Sequence, residues 1–206
     1  MDVPESLPAR LFLLAYDLRK QRMTARMERG LILRAAALNT LLREEYLTDD
    51  GGSPRALRDT HPDPVLSEVL QQIGASRPRR WQHWVARGER QTYWAVSDQL
   101  MAGGWIRVER RHVLGIFPVA SVTVREPRVV KNLHAQIAAA LRQPASRVAP
   151  DVAAMVALAA TGGLSTALNR SLRREHKERI AALAESTGPV AQALRKAIQA
   201  AQASAM

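Results

Sequence analysis

The chain has 206 residues, of which 47% are hydrophobic and 4% aromatic, and it contains no cysteine. This length and hydrophobic content suffice to bury a core, which excludes a chain that is disordered throughout. The missing cysteines exclude disulfides and thiolate metal sites. Thirty Lys and Arg against nineteen Asp and Glu give a formal net charge of +11, so the expected partners carry negative charge: nucleic acid, anionic lipid or an acidic protein.

The first half of the chain predicts helices separated by breaks. After an apolar run over residues 7–16, a helix is predicted over roughly 26–46, and Arg34 lies beside its apolar stripe of Leu31, Ala35, Leu38 and Leu42. The acidic, glycine-containing stretch 49–54 ends that helix. Further helices are predicted over 65–73, from Pro78 through two tryptophans, and from Glu89 to Ala102.

The segment from Trp105 to Val124 gives the only strong strand signal, because apolar and polar residues alternate at both of its ends. Between them lies an apolar tip formed by Val113, Leu114, Ile116 and Phe117, preceded by the charged stretch 109–112. A core strand is one interpretation of this tip. A hairpin that inserts into an anionic membrane surface is the other, and the flanking cations favour it.

Helical patterns return after Pro127 and continue to the alanine-rich C-terminus, with a mixed-charge helix around 173–179 and no internal repeat. We therefore predict a mainly α-helical single domain over residues 1–206 with a protruding β-hairpin, and we expect residues 1–6 to form a flexible tail. The first ten residues lack the basic and apolar stretches of a secretory signal. A cytoplasmic protein that associates peripherally with a membrane is therefore expected.

No catalytic chemistry is indicated by the sequence. The five histidines lack the spacing that brings two imidazoles to one metal, and no phosphate-binding loop, dinucleotide-binding turn or nucleophile elbow is present. The paired acidic residues near 44–45 and 49–50 are typical of solvated surface. We therefore predict neither an enzyme nor a metal or cofactor site.

Four short segments carry a resemblance to a known family. They are LFLLAY from Leu11, LRAAAL from Leu33, QLMAGGWI from Gln99 and VLGIFP from Val113. Their order and spacing resemble the Golgi phosphoprotein 3 family, and the alanine-rich, cysteine-free composition is typical of a bacterial member. The resemblance implies a helical protein that binds phosphatidylinositol 4-phosphate in a basic pocket and inserts a hydrophobic hairpin into the bilayer.

The resemblance also implies particular site residues. Two pocket arginines of the family fall on Arg34 and Arg90, whose guanidinium groups suit phosphate. The family's remaining pocket arginine falls on Tyr93, and its pocket tryptophan falls on Ala25, so these two departures leave the identity of the lipid open. Tyr93 is kept in the predicted set as a hydrogen-bond donor, and Arg26 or Arg87 are candidate replacement cations.

Three functional hypotheses follow from these patterns. The first is a peripheral membrane protein that binds an anionic phospholipid headgroup. The second is a nucleic-acid-binding protein of winged-helix type, because a helix over 89–102 followed by a hairpin also fits that architecture. Nucleic acid is the less expected partner, since Tyr93, Val96 and Leu100 leave few groups to contact base edges. The third is a helical scaffold or homo-oligomer whose hairpin contacts a protein partner.

Overall fold

The computed structural model describes residues 3–25, 28–113 and 117–204, and it describes the side chains of all of these except 110–113 and 117–120. The chain is 62% helical. The α-helices of the described ranges are α1 Leu7–Leu14, α2 Arg29–Arg43, α3 Pro64–Gly74, α4 Trp81–Ala86, α5 Glu89–Ala102, α6 Pro127–Arg142, α7 Pro150–Thr161, α8 Arg170–Glu175, α9 Lys177–Ala184 and α10 Pro189–Ala203.

The helix boundaries follow local signals in the sequence. The Asp63 carboxylate accepts a hydrogen bond from the backbone N–H of Val65 at 2.8 Å, which caps α3 one residue before Pro64. Gly88 has a φ of +72°, a left-handed conformation that suits glycine, and it separates α4 from α5. The predicted bounds of α5, Glu89 to Ala102, are confirmed.

Helix α2 is the central element of the fold. Every residue from Gly30 to Leu41 is buried, because α1, α3, α4, α5, α7 and α10 all contact this helix. Alanines at positions 35–37 are fully buried and allow neighbouring helices to approach closely. One buried apolar cluster extends from Leu7 to Ile198, and the predicted mainly helical, single-domain fold is confirmed.

Three antiparallel hairpins accompany the helices within the described ranges. The longest pairs β5 (Ile106–Val113) with β6 (Phe117–Val124), as predicted, in a register that joins Ile106 to Val124 and Val113 to Phe117. Two short hairpins were not predicted: β1 (Tyr16–Asp17) with β2 (Arg22–Met23), and β3 (Leu47–Asp50) with β4 (Ser53–Ala56). Strands of two or four residues are too short to show a period in the sequence.

Residues 3–6 lie against the first helix. Pro4 is buried, and its carbonyl oxygen accepts a hydrogen bond from Arg10 Nε at 2.6 Å. The Ser6 hydroxyl accepts from the backbone N–H of Ala9 at 3.4 Å and so caps α1. These contacts fix the direction in which the chain enters α1.

Candidate functional site: a basic cavity between four helices

A cavity of about 1200 Å³ lies where the first residues of α2 and α5 meet α4 and the end of α10. Among the described residues, three arginines and one carboxylate line it: Arg29 from α2, Arg80 just before α4, Arg90 from α5, and Glu89. The wall contributed by α10 is made of small side chains, Ala197, Ala200, Ala201 and Ser204. The cavity is therefore wide, basic on one side and bordered by methyl groups on the other.

Arg90 was predicted to bind a headgroup, and it lines this cavity. Its side chain is 90% exposed, and its Nε lies 3.6 Å from the Glu89 carboxylate. Burial raises the pKa of Glu89 above its ordinary value, while the neighbouring Arg90 acts in the opposite direction. Because a strongly exposed ion pair contributes little to stability, the guanidinium of Arg90 is free to exchange Glu89 for another anion.

Tyr93, the second predicted residue on this helix, also lines the cavity and is held from two sides. Its ring stacks on that of Phe12, with centroids 5.3 Å apart. Its hydroxyl accepts a hydrogen bond from Arg29 Nη1 at 3.3 Å. Burial raises the pKa of Tyr93, an effect that the nearby Arg29 charge opposes, so the phenol is neutral at physiological pH.

Sequence reasoning selected neither Arg29 nor Arg80, although both line the cavity. The guanidinium carbon of Arg29 lies 5.1 Å from the centroid of the Tyr93 ring, within the range of a cation–π contact. Its Nε is buried and has no hydrogen-bond partner within the described part of the chain. Arg29 thus has an oriented guanidinium beside the position where the family resemblance places an arginine and this chain has Tyr93.

Arg34, predicted to contact phosphate, is instead buried among the helices at 1% exposure and does not line the cavity. Its Nε donates to the Trp84 carbonyl oxygen at 3.0 Å, and its two terminal nitrogens donate to Gln72 Oε1 at 2.7 Å and Thr92 Oγ1 at 3.3 Å. Burial lowers the pKa of Arg34 to about 10. In this structure Arg34 therefore links α2 to α3, α4 and α5.

Arg87 and Arg26 were the candidate replacement cations. Arg87 is exposed but does not line the cavity, and Arg26 is outside the described residues. His83 does line it, and its pKa is lowered by desolvation and by the positive charges of Arg79 and Arg87. A neutral His83 leaves the arginines as the cationic groups of the cavity.

The predicted hairpin tip is described only in part. Leu114 and Ile116 lie outside the described residues, and Val113 and Phe117 are paired with each other at the ends of β5 and β6. At the opposite end of the hairpin Ile106, Val122 and Val124 are buried against the helical body. The hairpin is therefore anchored at its base by apolar side chains.

The described residues form neither a metal-binding cluster nor a membrane-spanning helix. No group of three or more His, Cys, Asp or Glu side chains that could hold a metal occurs among the described residues. Within the same ranges, none of the helices has the length and apolar character needed to cross a bilayer.

A comparison with protein families gives a match over most of the chain. The family model described as Golgi phosphoprotein 3 (GPP34) matches residues 7–201, nearly the whole chain. No curated protein matches the chain. The matched region includes α2, α4, α5, most of α10 and the whole of the longest hairpin. This chain belongs to the Golgi phosphoprotein 3 family, a family of non-enzymatic proteins known in general to bind phospholipid.

Proposed function

We propose that this chain is a peripheral membrane protein whose cavity binds the phosphate of an anionic phospholipid headgroup. The observation that carries the proposal is the convergence of Arg29, Arg80 and Arg90 on one cavity, to which the described residues contribute a single carboxylate, Glu89. Family membership and the net charge of +11 support the same ligand class. In this proposal the protein is cytoplasmic and reaches the membrane from that side.

Arg90 and Arg29 are suited to different parts of headgroup binding. Arg90 is exposed and carries the flexible charge that first meets an anionic surface. Arg29 is already oriented by Tyr93, so ordering its side chain around a phosphate costs less conformational entropy. A guanidinium donates parallel hydrogen bonds to phosphate oxygens, which suits a phosphate headgroup.

The hairpin supplies the second anchor in this proposal. Val113, Leu114, Ile116 and Phe117 would enter the acyl region, while the arginines of the cavity hold the headgroup. A single weak signal gives only marginal membrane binding, and two signals together give stable association. Removing either the apolar tip or the cationic cavity should therefore release most of the protein.

The proposed ligand class is broader than the lipid of the family resemblance. Phosphatidylinositol 4-phosphate carries a phosphate that fits the same arginines, but this chain has Tyr93 and Ala25 where the family has an arginine and a tryptophan. Arg29 restores one guanidinium at a different position. We therefore propose an anionic phospholipid and treat its particular headgroup as the property to be measured.

The exposed face of α5 favours lipid over nucleic acid. The sequence pattern allowed this helix to be a base-reading element, and its exposed positions include Arg90, Gln91, Trp94, Asp98 and Met101. The face that carries Trp94, Asp98 and Met101 presents an acidic group and two apolar groups, which oppose a contact with the phosphate backbone of DNA. If the native protein binds none of the tested vesicles, nucleic-acid binding and a scaffold role become the alternatives.

The test is flotation with phosphatidylcholine vesicles, with or without phosphatidylglycerol, cardiolipin or phosphatidylinositol 4-phosphate. Arg29→Gln and Arg90→Gln are compared with Arg142→Gln, which removes the same charge from an exposed position outside the cavity. We expect each cavity variant to lose about fivefold in affinity for anionic vesicles, in line with one interfacial charge, and Arg142→Gln to lose little. Equal losses in all three variants, or equal binding to neutral vesicles, would remove the proposal.

A further inference from the structure

One face of α5 exposes large apolar side chains beside the basic cavity. Trp94 is 46% exposed and Met101 is 45% exposed, and seven residues separate them, which is two turns of one helical face. Leu57 is the third large apolar side chain exposed in the described ranges, and it lies away from this helix, between β4 and α3. Single exposed apolar residues are common in proteins, whereas a pair on one face beside a charged cavity indicates a contact surface.

Trp94 belongs to the rim of the cavity as well as to this face. It lines the cavity together with Arg90, which precedes it by one helical turn on the same side of α5. Its ring meets the Tyr93 ring edge to face, with centroids 5.2 Å apart and planes at 80°. This contact sets the orientation of the indole although nearly half of its surface is exposed.

A partner for this face must accept an indole, a thioether and a guanidinium side by side. The interface of a lipid bilayer does so, since tryptophan is enriched at headgroup depth and arginine pairs there with phosphates. Asp98 lies one turn beyond Trp94 and is exposed. A carboxylate at that position disfavours deep burial, so the chemistry fits a shallow contact at the level of the headgroups.

We propose that the face of α5 formed by Arg90, Trp94 and Met101 lies in the headgroup region of the bilayer, with Trp94 as an interfacial anchor next to the cavity. The inference rests on the proposed lipid binding and adds the orientation of the protein on the membrane. The mouth of the cavity faces the membrane, and α5 lies against the surface together with the hairpin that follows it. The anchor is thus built into the rigid helical body as well as into the hairpin tip.

Tryptophan emission in vesicles with brominated acyl chains tests this orientation. Trp81 and Trp84 are buried and Trp105 is partly buried, so the signal of Trp94 is obtained as the difference between the native protein and Trp94→Phe. We expect bromines placed near the headgroups to quench this difference signal strongly, and bromines near the bilayer centre to quench it weakly. Vesicle-bound protein whose Trp94 emission is not quenched by either would overturn the inference while leaving lipid binding by the cavity intact.

Matched variants provide a second readout. Met101→Ala and Leu57→Ala each remove a similarly exposed apolar side chain, but only Met101 lies on the proposed face. We expect Met101→Ala to weaken binding to phosphatidylglycerol-containing vesicles about threefold, and Leu57→Ala to leave it unchanged. Asp98→Asn should strengthen binding. Equal effects of Met101→Ala and Leu57→Ala would overturn the inference, and failure of the native protein to bind any vesicle would overturn the proposed function with it.

Discussion

The guanidinium of Arg34 donates a hydrogen bond from Nε to the backbone carbonyl oxygen of Trp84 at 3.0 Å, and this bond ties α2 to α4 next to the cavity. Gln72 and Thr92 accept hydrogen bonds from its two terminal nitrogens. A buried arginine whose three nitrogens each have an acceptor in the fold links the elements around the cavity, and it does not line the cavity itself. The distinction matters because the family resemblance assigns this residue a direct contact.

Replacing Arg34 should therefore act mainly on the stability of the fold rather than directly on lipid binding. Arg34→Ala leaves buried acceptors on three elements without donors, and we expect a loss of about 3 kcal/mol in the free energy of unfolding. Urea denaturation measures it, with Arg142→Ala as an exposed control expected to stay within about 0.5 kcal/mol. A variant that keeps its stability but no longer binds anionic vesicles would instead establish Arg34 as a headgroup ligand.

Gly30 permits the close approach of α2 to α5 at the cavity. A Cβ at this position would collide with the Glu89 side chain and would lie 2.8 Å from the Glu89 carbonyl oxygen. We expect Gly30→Ala to destabilise the fold by about 1–3 kcal/mol, because the backbone oxygen cannot move as a side chain can. Thermal denaturation measures the change.

Gly74 is the matched control for that substitution. A Cβ there meets only the Ala56 Cβ at 3.7 Å, an ordinary contact, so Gly74→Ala should be neutral or slightly stabilising. Because part of the collision at Gly30 involves the Glu89 carboxylate, Glu89→Ala should recover some of the stability lost in Gly30→Ala. Equal destabilisation by the two glycine substitutions would contradict this account.

Glu89 should make headgroup binding depend on pH. Burial raises the pKa of this carboxyl above its ordinary value, so protonation begins at a higher pH than for an exposed glutamate and removes a negative charge from the cavity. Binding to anionic vesicles should therefore strengthen as the pH falls from 7 toward that raised pKa. Glu89→Gln should bind about fivefold more tightly at pH 7.

The pH dependence of the lipid itself is removed by comparing the native protein and Glu89→Gln on the same vesicles. Their affinities should converge as the pH falls, because a protonated Glu89 and the glutamine that replaces it in the variant are both uncharged. Parallel pH profiles with a constant difference would show that Glu89 does not titrate in this range.

Tyr93→Arg restores the guanidinium that the family resemblance places at this position. We expect about fivefold tighter binding to vesicles that contain phosphatidylinositol 4-phosphate, since one further cation faces the headgroup. The Tyr93 ring stacks on Phe12, so the folded state of the variant is first checked by thermal denaturation. Gln143→Arg adds the same charge at an exposed site, and an equal gain in that variant would show that only net charge matters.

The sequence by itself determined several elements of this protein and its net charge. Periodicity and capping residues specified α3 and α5, alternation specified the pairing of β5 with β6, and the excess of Lys and Arg gives a charge of +11 that favours a partner of negative charge. The two short hairpins were not predicted, because strands of two to four residues are too short to show a period in the sequence. These features are local, so the residues that produce them are neighbours in the chain.

Only the tertiary structure decided which arginines line the cavity. A helical stripe shows that Arg34 lies beside the core, but it does not show that acceptors from α3, α4 and α5 surround it. Nor does it show that Arg29 meets Tyr93, which is 64 residues away in the chain. Whether a guanidinium serves as an internal link or as a binding group depends on the acceptors that other elements bring to it, and that arrangement exists only once the helices have packed.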